Sequence, residues 1–236
     1  LIGMLKRYQG HVRIDGAEVR DLGNDIYERI GIVFEFPTLY EKLTALQNLS
    51  FFASLYRRAP RDPQALLSAV GLLPSAGQKV GEFSKGMKSR LNFIKALQHD
   101  PQYLFLDEPT SGLDPTNAAL MKRMILEEKA RGKTIILTTH NMQDATELCD
   151  RVAFLVDGQL RALDTPHCLI MRKAAAEIDY TYMENGQEQH GACPLGATGA
   201  DALLGELIAG NRLTTIHSRE QTLGDVFMDL TGRVLA

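Results

Sequence analysis

Tyr103-Leu104-Phe105-Leu106-Asp107-Glu108-Pro109 runs directly into Thr110-Ser111-Gly112-Leu113-Asp114. Four apolar residues meet two adjacent carboxylates at a polar turn. A short apolar run bounded in this way predicts a strand buried on both faces, as in a parallel sheet. Such a strand delivers Asp107 and Glu108 to the carboxyl edge of the sheet, where open α/β folds bind their ligands. A carboxylate at that edge suits Mg²⁺, usually held through water, and its neighbour can orient or deprotonate an attacking water. Taken alone, the same residues also fit a strand that merely ends in a polar turn.

The flanking sequence separates these readings. Upstream lies Glu82-Phe83-Ser84-Lys85-Gly86-Met87-Lys88-Ser89-Arg90-Leu91, and downstream Thr138-Thr139-His140-Asn141-Met142 closes another apolar run. In this order the segments resemble the signature motif, the Walker B motif with its D-loop, and the switch histidine of an ABC-type ATPase. Ile30-Gly31-Ile32-Val33-Phe34-Glu35 resembles the strand entering the Q-loop of the same family. The resemblance covers most of residues 31 to 157. Four motifs in order and at suitable intervals are specific where any one is not.

The resemblance implies a P-loop NTPase-type α/β fold and a set of roles. Glu108 is the expected general base and Asp107 the carboxylate supporting Mg²⁺, while His140 reaches toward the γ-phosphate of ATP. Glu35 stands where most of the family has Gln; it keeps the reach to a metal, adds a charge and loses an amide donor. Ser84, Lys85, Gly86 and Met87 form a helix N-terminus, an anion site by its free N–H groups and dipole. In the family this segment meets the nucleotide of the opposite subunit, so ATP is sandwiched between two chains. Phe83, Lys85 and Met87 depart from the common Leu-Ser-Gly-Gly-Gln, and the Ser-Lys-Gly-Met form resembles the subgroup driving multidrug, bacitracin-type and fluoroquinolone-type exporters. Asp114 is expected in the D-loop facing the partner; capping the helix that begins at Pro115 is the plainer reading, and both are compatible. A transmembrane permease and a second ATPase subunit, identical or not, are the implied partners, on the cytoplasmic face of the membrane.

Bulk properties agree with such a protein. The chain has 236 residues, 44% hydrophobic and 23% charged, with a formal net charge of −3. Nothing there marks a nucleic-acid-binding surface. No apolar run approaches bilayer length and no secretory signal is visible. Cys149, Cys168 and Cys193 show no metal-ligand spacing and read as reduced thiols.

Alternating strands and helices predict the sheet. Strands are expected at Val12–Ile14, Ile30–Phe34, Thr134–Thr138 and Val152–Val156 beside the one at 103–107. Helices are expected at Leu43–Arg58 with Thr44 as cap, at Gln64–Val70, and from Ser84 to Gln98 with Leu91, Ile94 and Leu97 inside. Further helices run from Asp114-Pro115 to Gly132 and around Met142–Leu148. The helical subdomain, about residues 38 to 100, is where the family touches its permease; Leu39-Tyr40 and Leu43-Thr44 read either as core or as a groove for a coupling helix. Residues 1–170 are read as the ATPase domain and 171–236 as a small α+β appendage. In the appendage Glu177–Met183 is a strand, Asn185-Gly186 a hairpin turn, Gly191–Gly199 a loop, Leu213–His217 a strand and Thr222 the start of a capping box.

A P-loop requires Gly-x-x-x-x-Gly-Lys-Ser/Thr between a strand and a helix. Gly132-Lys133-Thr134 follows a helix, precedes a strand and has Glu127 where the first Gly belongs, so Gly132 is read as a helix stop. By resemblance, Leu1–Tyr8 is the tail of the helix that follows the P-loop, which is then expected ahead of Leu1, and the 236 residues alone are expected not to turn over ATP. The competing functions are a soluble ABC-fold ATPase of translation or DNA maintenance and an inactive, truncated remnant. No heptad run separates Glu35 from Ser84, and no second motif set is present, against the soluble branches.

Overall fold

The computed structural model describes residues 7–171, 177–219 and 221–232. It divides into two compact units, residues 1–140 and 141–236.

In the first unit, β1 (Arg13–Ile14) and β2 (Ala17–Glu18) form a hairpin whose turn, Asp15-Gly16, has positive φ at both residues. β3 (Ile30–Val33), β4 (Tyr103–Asp107) and β5 (Thr134–Thr138) make a parallel sheet in that order, with Ile30 opposite Tyr103 and Leu104 opposite Ile135. β4 is central because its apolar residues are wanted on both faces. Leu104 and Leu106 are fully buried on one, and Tyr103 and Phe105 pack with Val19, Ile26 and Ile30 on the other.

α1 (Ala45–Ala53), α2 (Pro63–Ala69) and α3 (Lys85–Leu97) pack on one another, burying Leu49, Leu67 and Leu91. Thr44 caps α1 in a capping box with Gln47, Asp62 caps α2 and Ser84 caps α3. α1 stops at Ala53, short of Arg58, because the following residues have tertiary partners: Tyr56 stacks on His99 at 3.7 Å and Arg57 pairs with Asp25 at 2.9 Å. From Leu91 onward α3 is buried all round, so polar Asn92 and Lys95 lie inside with Leu91 and Ile94. α4 (Pro115–Ala130) starts at its cap Asp114 and is closed by Gly132 at φ +85°, a conformation that glycine tolerates. Lys133 then donates to Asp100 and to the Pro101 carbonyl, at 2.7 and 2.6 Å. It is a strand-entry tether, which agrees with rejecting a P-loop here.

In the second unit, β6 (Val152–Val156) pairs antiparallel with β7 (Gln159–Asp164), a partner strand that the alternation of strands and helices did not predict. Around this hairpin, α5 (Met142–Leu148), α6 (Pro166–Met171) and α8 (Leu223–Thr231) close a core of Ala145, Phe154, Leu169, Leu223 and Val226. α8 begins with the capping box expected at Thr222. A separate antiparallel sheet, order β10-β8-β9, joins β8 (Glu177–Glu184), β9 (Gln187–Pro194) and β10 (Leu213–Arg219). α7 (Ala202–Ala209) covers it through Leu204 and Leu207 against Tyr180 and Cys193. β9 extends into the stretch expected to be loop. Gly191 lies directly opposite Tyr180, and any Cβ there would collide with the tyrosine ring, so the small residue belongs to the sheet. All three cysteines are free, and no described helix is long and apolar enough to cross a membrane.

Candidate active site

Parallel strands end on the same edge, so the ends of β3, β4 and β5 bring three segments together. Glu35 follows β3 by two residues, Asp107 ends β4 with Glu108 directly after it, and His140 follows β5 by two. Glu108 has φ of +45°. That region is unfavourable for a residue with a Cβ, costing on the order of 1–3 kcal/mol, and such outliers gather at functional sites. Its own N–H still extends the ladder to the Thr138 carbonyl at 3.0 Å. The turn carries the carboxylate across to the end of β5, where Glu108 Oε1 accepts from the backbone N–H of His140 at 2.9 Å and lies 2.8 Å from His140 Nδ1. Thr139 Oγ1 donates to Oε2 at 3.4 Å. The Glu108 side chain is 19% exposed and that of His140 62%, so the carboxylate is sheltered and the ring faces solvent.

Asp107 is exposed at the strand end and accepts from Thr138 Oγ1. Glu35 is exposed as well, with Ser111 Oγ donating to it at 3.4 Å. The two hard, anionic oxygen groups are the kind of ligand that Mg²⁺ takes together with substrate phosphates, one or two carboxylates being sufficient. Among the described residues no cluster of three or more potential ligands exists, which argues against a dedicated all-protein metal cage.

The remaining predicted residues form a second group. Ser84 caps α3 and accepts from the Met87 N–H at 3.3 Å. The N-terminus of α3 abuts that of α4: a Cβ on buried Gly86 would fall 2.6 Å from the Asn117 side chain. Asp114 holds this neighbour, accepting from the Asn117 N–H at 3.0 Å and from its side-chain amide. Those two contacts, side chain first, keep the Asp114 carboxyl below its ordinary pKa. The Lys85 ammonium lies against Gly112, where no side chain would fit. The loop 110–114 therefore touches both groups, Ser111 reaching Glu35 and Gly112 meeting Lys85. Sequence reasoning assigned no role to Ser111, inside a quoted motif, or to Asn117, just beyond it; Ser111 meets Glu35 and Asn117 abuts Gly86, both remote in sequence.

A cavity of about 410 Å³ bounded by Arg58, Asp100, Arg131 and Lys133 lies elsewhere, at the edge where β4 and β5 begin. Arg131 there pairs with Glu128, and Lys133 with Asp100 and Glu128. The cavity is not part of the site.

A parallel sheet that sets three carboxylates and a histidine at its carboxyl edge, beside a capped helix N-terminus, has the arrangement of an α/β ATPase site. The ABC transporter family description matches residues 1–111. The fluoroquinolones export ATP-binding protein of Mycobacterium tuberculosis is 48% identical over 240 residues, spanning 100% of this chain and 78% of that protein. Nod factor export ATP-binding protein I of Rhizobium meliloti is 34% identical over 255 residues, spanning 100% of this chain and 75% of that protein. Among solved structures, a dimeric ATP-binding cassette in a post-hydrolysis state, bound to ADP and Pi, is similar at 26% identity and a TM-score of 0.60, covering 69% of this chain and 76% of that one. The chain belongs to the ABC transporter family of ATPases, as an ATP-binding subunit.

Proposed function

We propose that this chain powers a membrane exporter of multidrug type, hydrolysing ATP held between two ATPase subunits. The observation that carries the reading is the sheltered Glu108 carboxylate bound to His140 at the carboxyl edge of the sheet. Glu108 is the general base for the attacking water, and His140 holds that base and faces the γ-phosphate. Asp107 and Glu35 support Mg²⁺, which when bound neutralises charge on the phosphates. Ser84, Lys85, Gly86 and Met87, with Asp114, complete the nucleotide site of the second subunit.

The permease partner and the cytoplasmic membrane face belong to the same reading, supported by the export functions in the names of the relatives. Residues 1–170 act as the ATPase domain, with the permease contact in residues 38–100. Exposed Tyr40 and Phe51 offer an aromatic surface there, their rings 4.9 Å apart. Residues 171–236 form the appendage.

The test is Glu108→Gln in the full-length protein. Loss of the base lowers ATP turnover by on the order of 10²–10⁴-fold. ATP binding persists, and light scattering shows a longer-lived nucleotide-bound dimer. An unchanged turnover rate refutes the role of Glu108.

A further inference from the structure

Between Val33 and Tyr40 the chain forms no regular element, and Glu35 sits in the middle of this segment. Its backbone is held by side chains. The Phe34 carbonyl accepts from Asn92 Nδ2 at 3.3 Å. The Thr38 carbonyl and Oγ1 accept from Lys95 Nζ at 3.1 and 2.7 Å. Tyr40 is fastened at its N–H and carbonyl by Asn48, at 2.8 and 3.0 Å. Two of these three anchors lie one turn apart on α3, and they bracket Glu35.

We infer that Asn92 and Lys95 are positioning residues that bind the Glu35 loop to α3, so that displacement of the helix at its Ser84 end is passed to Glu35. The inference rests on the proposed roles of Glu35 and of Ser84–Met87. Lys95 is an unexpected choice for packing alone. It is 8% exposed, and among the described residues no carboxylate pairs with it; its other neighbour is the face of the Phe52 ring at 4.7 Å. Burial lowers its pKa to about 8, so the site disfavours the charge it contains. An apolar residue of the same length would fill the space without that penalty. What the ammonium adds is two directed bonds to Thr38. Asn92 is 1% exposed and leaves its Oδ1 without a partner, so it too costs packing energy to hold one carbonyl.

The mechanical consequence follows from helix stiffness. Asn92 lies eight residues from Ser84, roughly 12 Å along one continuous helix. A ligand that shifts the first turn of α3 moves the Phe34 and Thr38 carbonyls with it. Glu35 then changes its distance to the end of β4, which belongs to the sheet.

Proteolysis with a glutamate-specific protease tests the clamp, because Glu35-Phe36 lies between the anchors and Glu184, beside the Asn185-Gly186 turn, serves as an internal reference. Cleavage follows the population of open loop. Losing the two Lys95 bonds in Lys95→Met accelerates cleavage at Glu35 by about tenfold or more. Lys95→Arg stays close to the unaltered rate, and Glu184 cleavage is unchanged in both. Asn92→Ala, which also removes an unsatisfied oxygen, gives the same acceleration and covers the case in which Lys95→Met fails to fold. Slow cleavage at Glu35 in folded Lys95→Met or Asn92→Ala overturns the clamp.

Steady-state kinetics test the transmission. In the full-length protein, Lys95→Met lowers kcat for ATP by about tenfold while KM moves little, and Lys95→Arg restores it. An unchanged kcat beside accelerated cleavage overturns transmission. Absence of any ATP turnover in the unaltered protein refutes the proposed function instead, and the cleavage comparison still decides the clamp.

Discussion

Gly31→Ala tests how closely α3 lies on the sheet. Gly31 is buried in β3, and a Cβ built there points at three neighbours. It falls 2.7 Å from Leu104 Cδ2, 2.9 Å from Pro101 Cγ, and closer still to the Ala96 carbonyl oxygen. The oxygen is helix backbone in the last turn of α3 and cannot swing aside. Leu104 is 0% exposed, so its methyl has no space to enter. Relief requires the C-terminal end of α3 to lift from β3 by about 1 Å. Overpacking of this kind costs typically ~1–3 kcal/mol, and a rigid neighbour places it near the top, about 3 kcal/mol. For a chain of this size that lowers Tm by roughly 6–12 °C.

Because the protein has two units, native-state hydrogen exchange of β4 and α3 amides reads the first unit directly. Exchange through unfolding of this unit quickens on the order of 100-fold. Gly23→Ala is the control, since a Cβ there meets nothing within 4 Å and stability stays within about 0.5 kcal/mol. A cost below about 0.5 kcal/mol for Gly31→Ala refutes the claim that the Ala96 carbonyl fixes the helix-to-sheet distance.

Asn48→Ala removes a 0% exposed amide that serves the Tyr40 N–H and the Tyr40 and Thr44 carbonyls; the carbonyls keep their bonds from the N–H groups of residues 43 and 48, while the Tyr40 N–H loses its partner, so the expected cost is about 1–3 kcal/mol, read by urea unfolding, and a neutral result refutes it. The pH dependence of Lys95 has a definite sign. Its folded pKa is lowered by burial to about 8 from 10.5, so between those values the unfolded chain binds the proton that the folded chain has released. Stability of the unaltered protein therefore rises relative to Lys95→Met as pH goes from about 8 to 10.5, and is flat below that window. Parallel stability curves for the two proteins across this range refute burial as the cause of the shift.

Features with local causes were legible in the sequence. The run at 103–107 had to be a strand buried on both faces, because four apolar residues in a row satisfy two layers at once. Ser84, Asp114, Thr44 and Thr222 act as caps because a short side-chain acceptor reaches the N–H three residues on without help from the rest of the chain. Gly132 and Asn185-Gly186 turn where they were expected to, since positive φ is a property of the residue itself.

What depended on contacts remote in sequence was decided only by the tertiary structure. α1 ends early because Tyr56 finds His99. β9 runs through Gly191 because the Tyr180 ring requires a residue without a side chain beside it. Asn92 and Lys95 are polar residues of α3, yet they lie inside, where they meet the Phe34 and Thr38 carbonyls of a segment outside any strand or helix. The motifs placed Glu35, Glu108 and His140 in one family pattern. Their meeting on one edge, and the left-handed turn that aims Glu108 at His140, follow from the parallel order of β3, β4 and β5, which no local run of residues encodes.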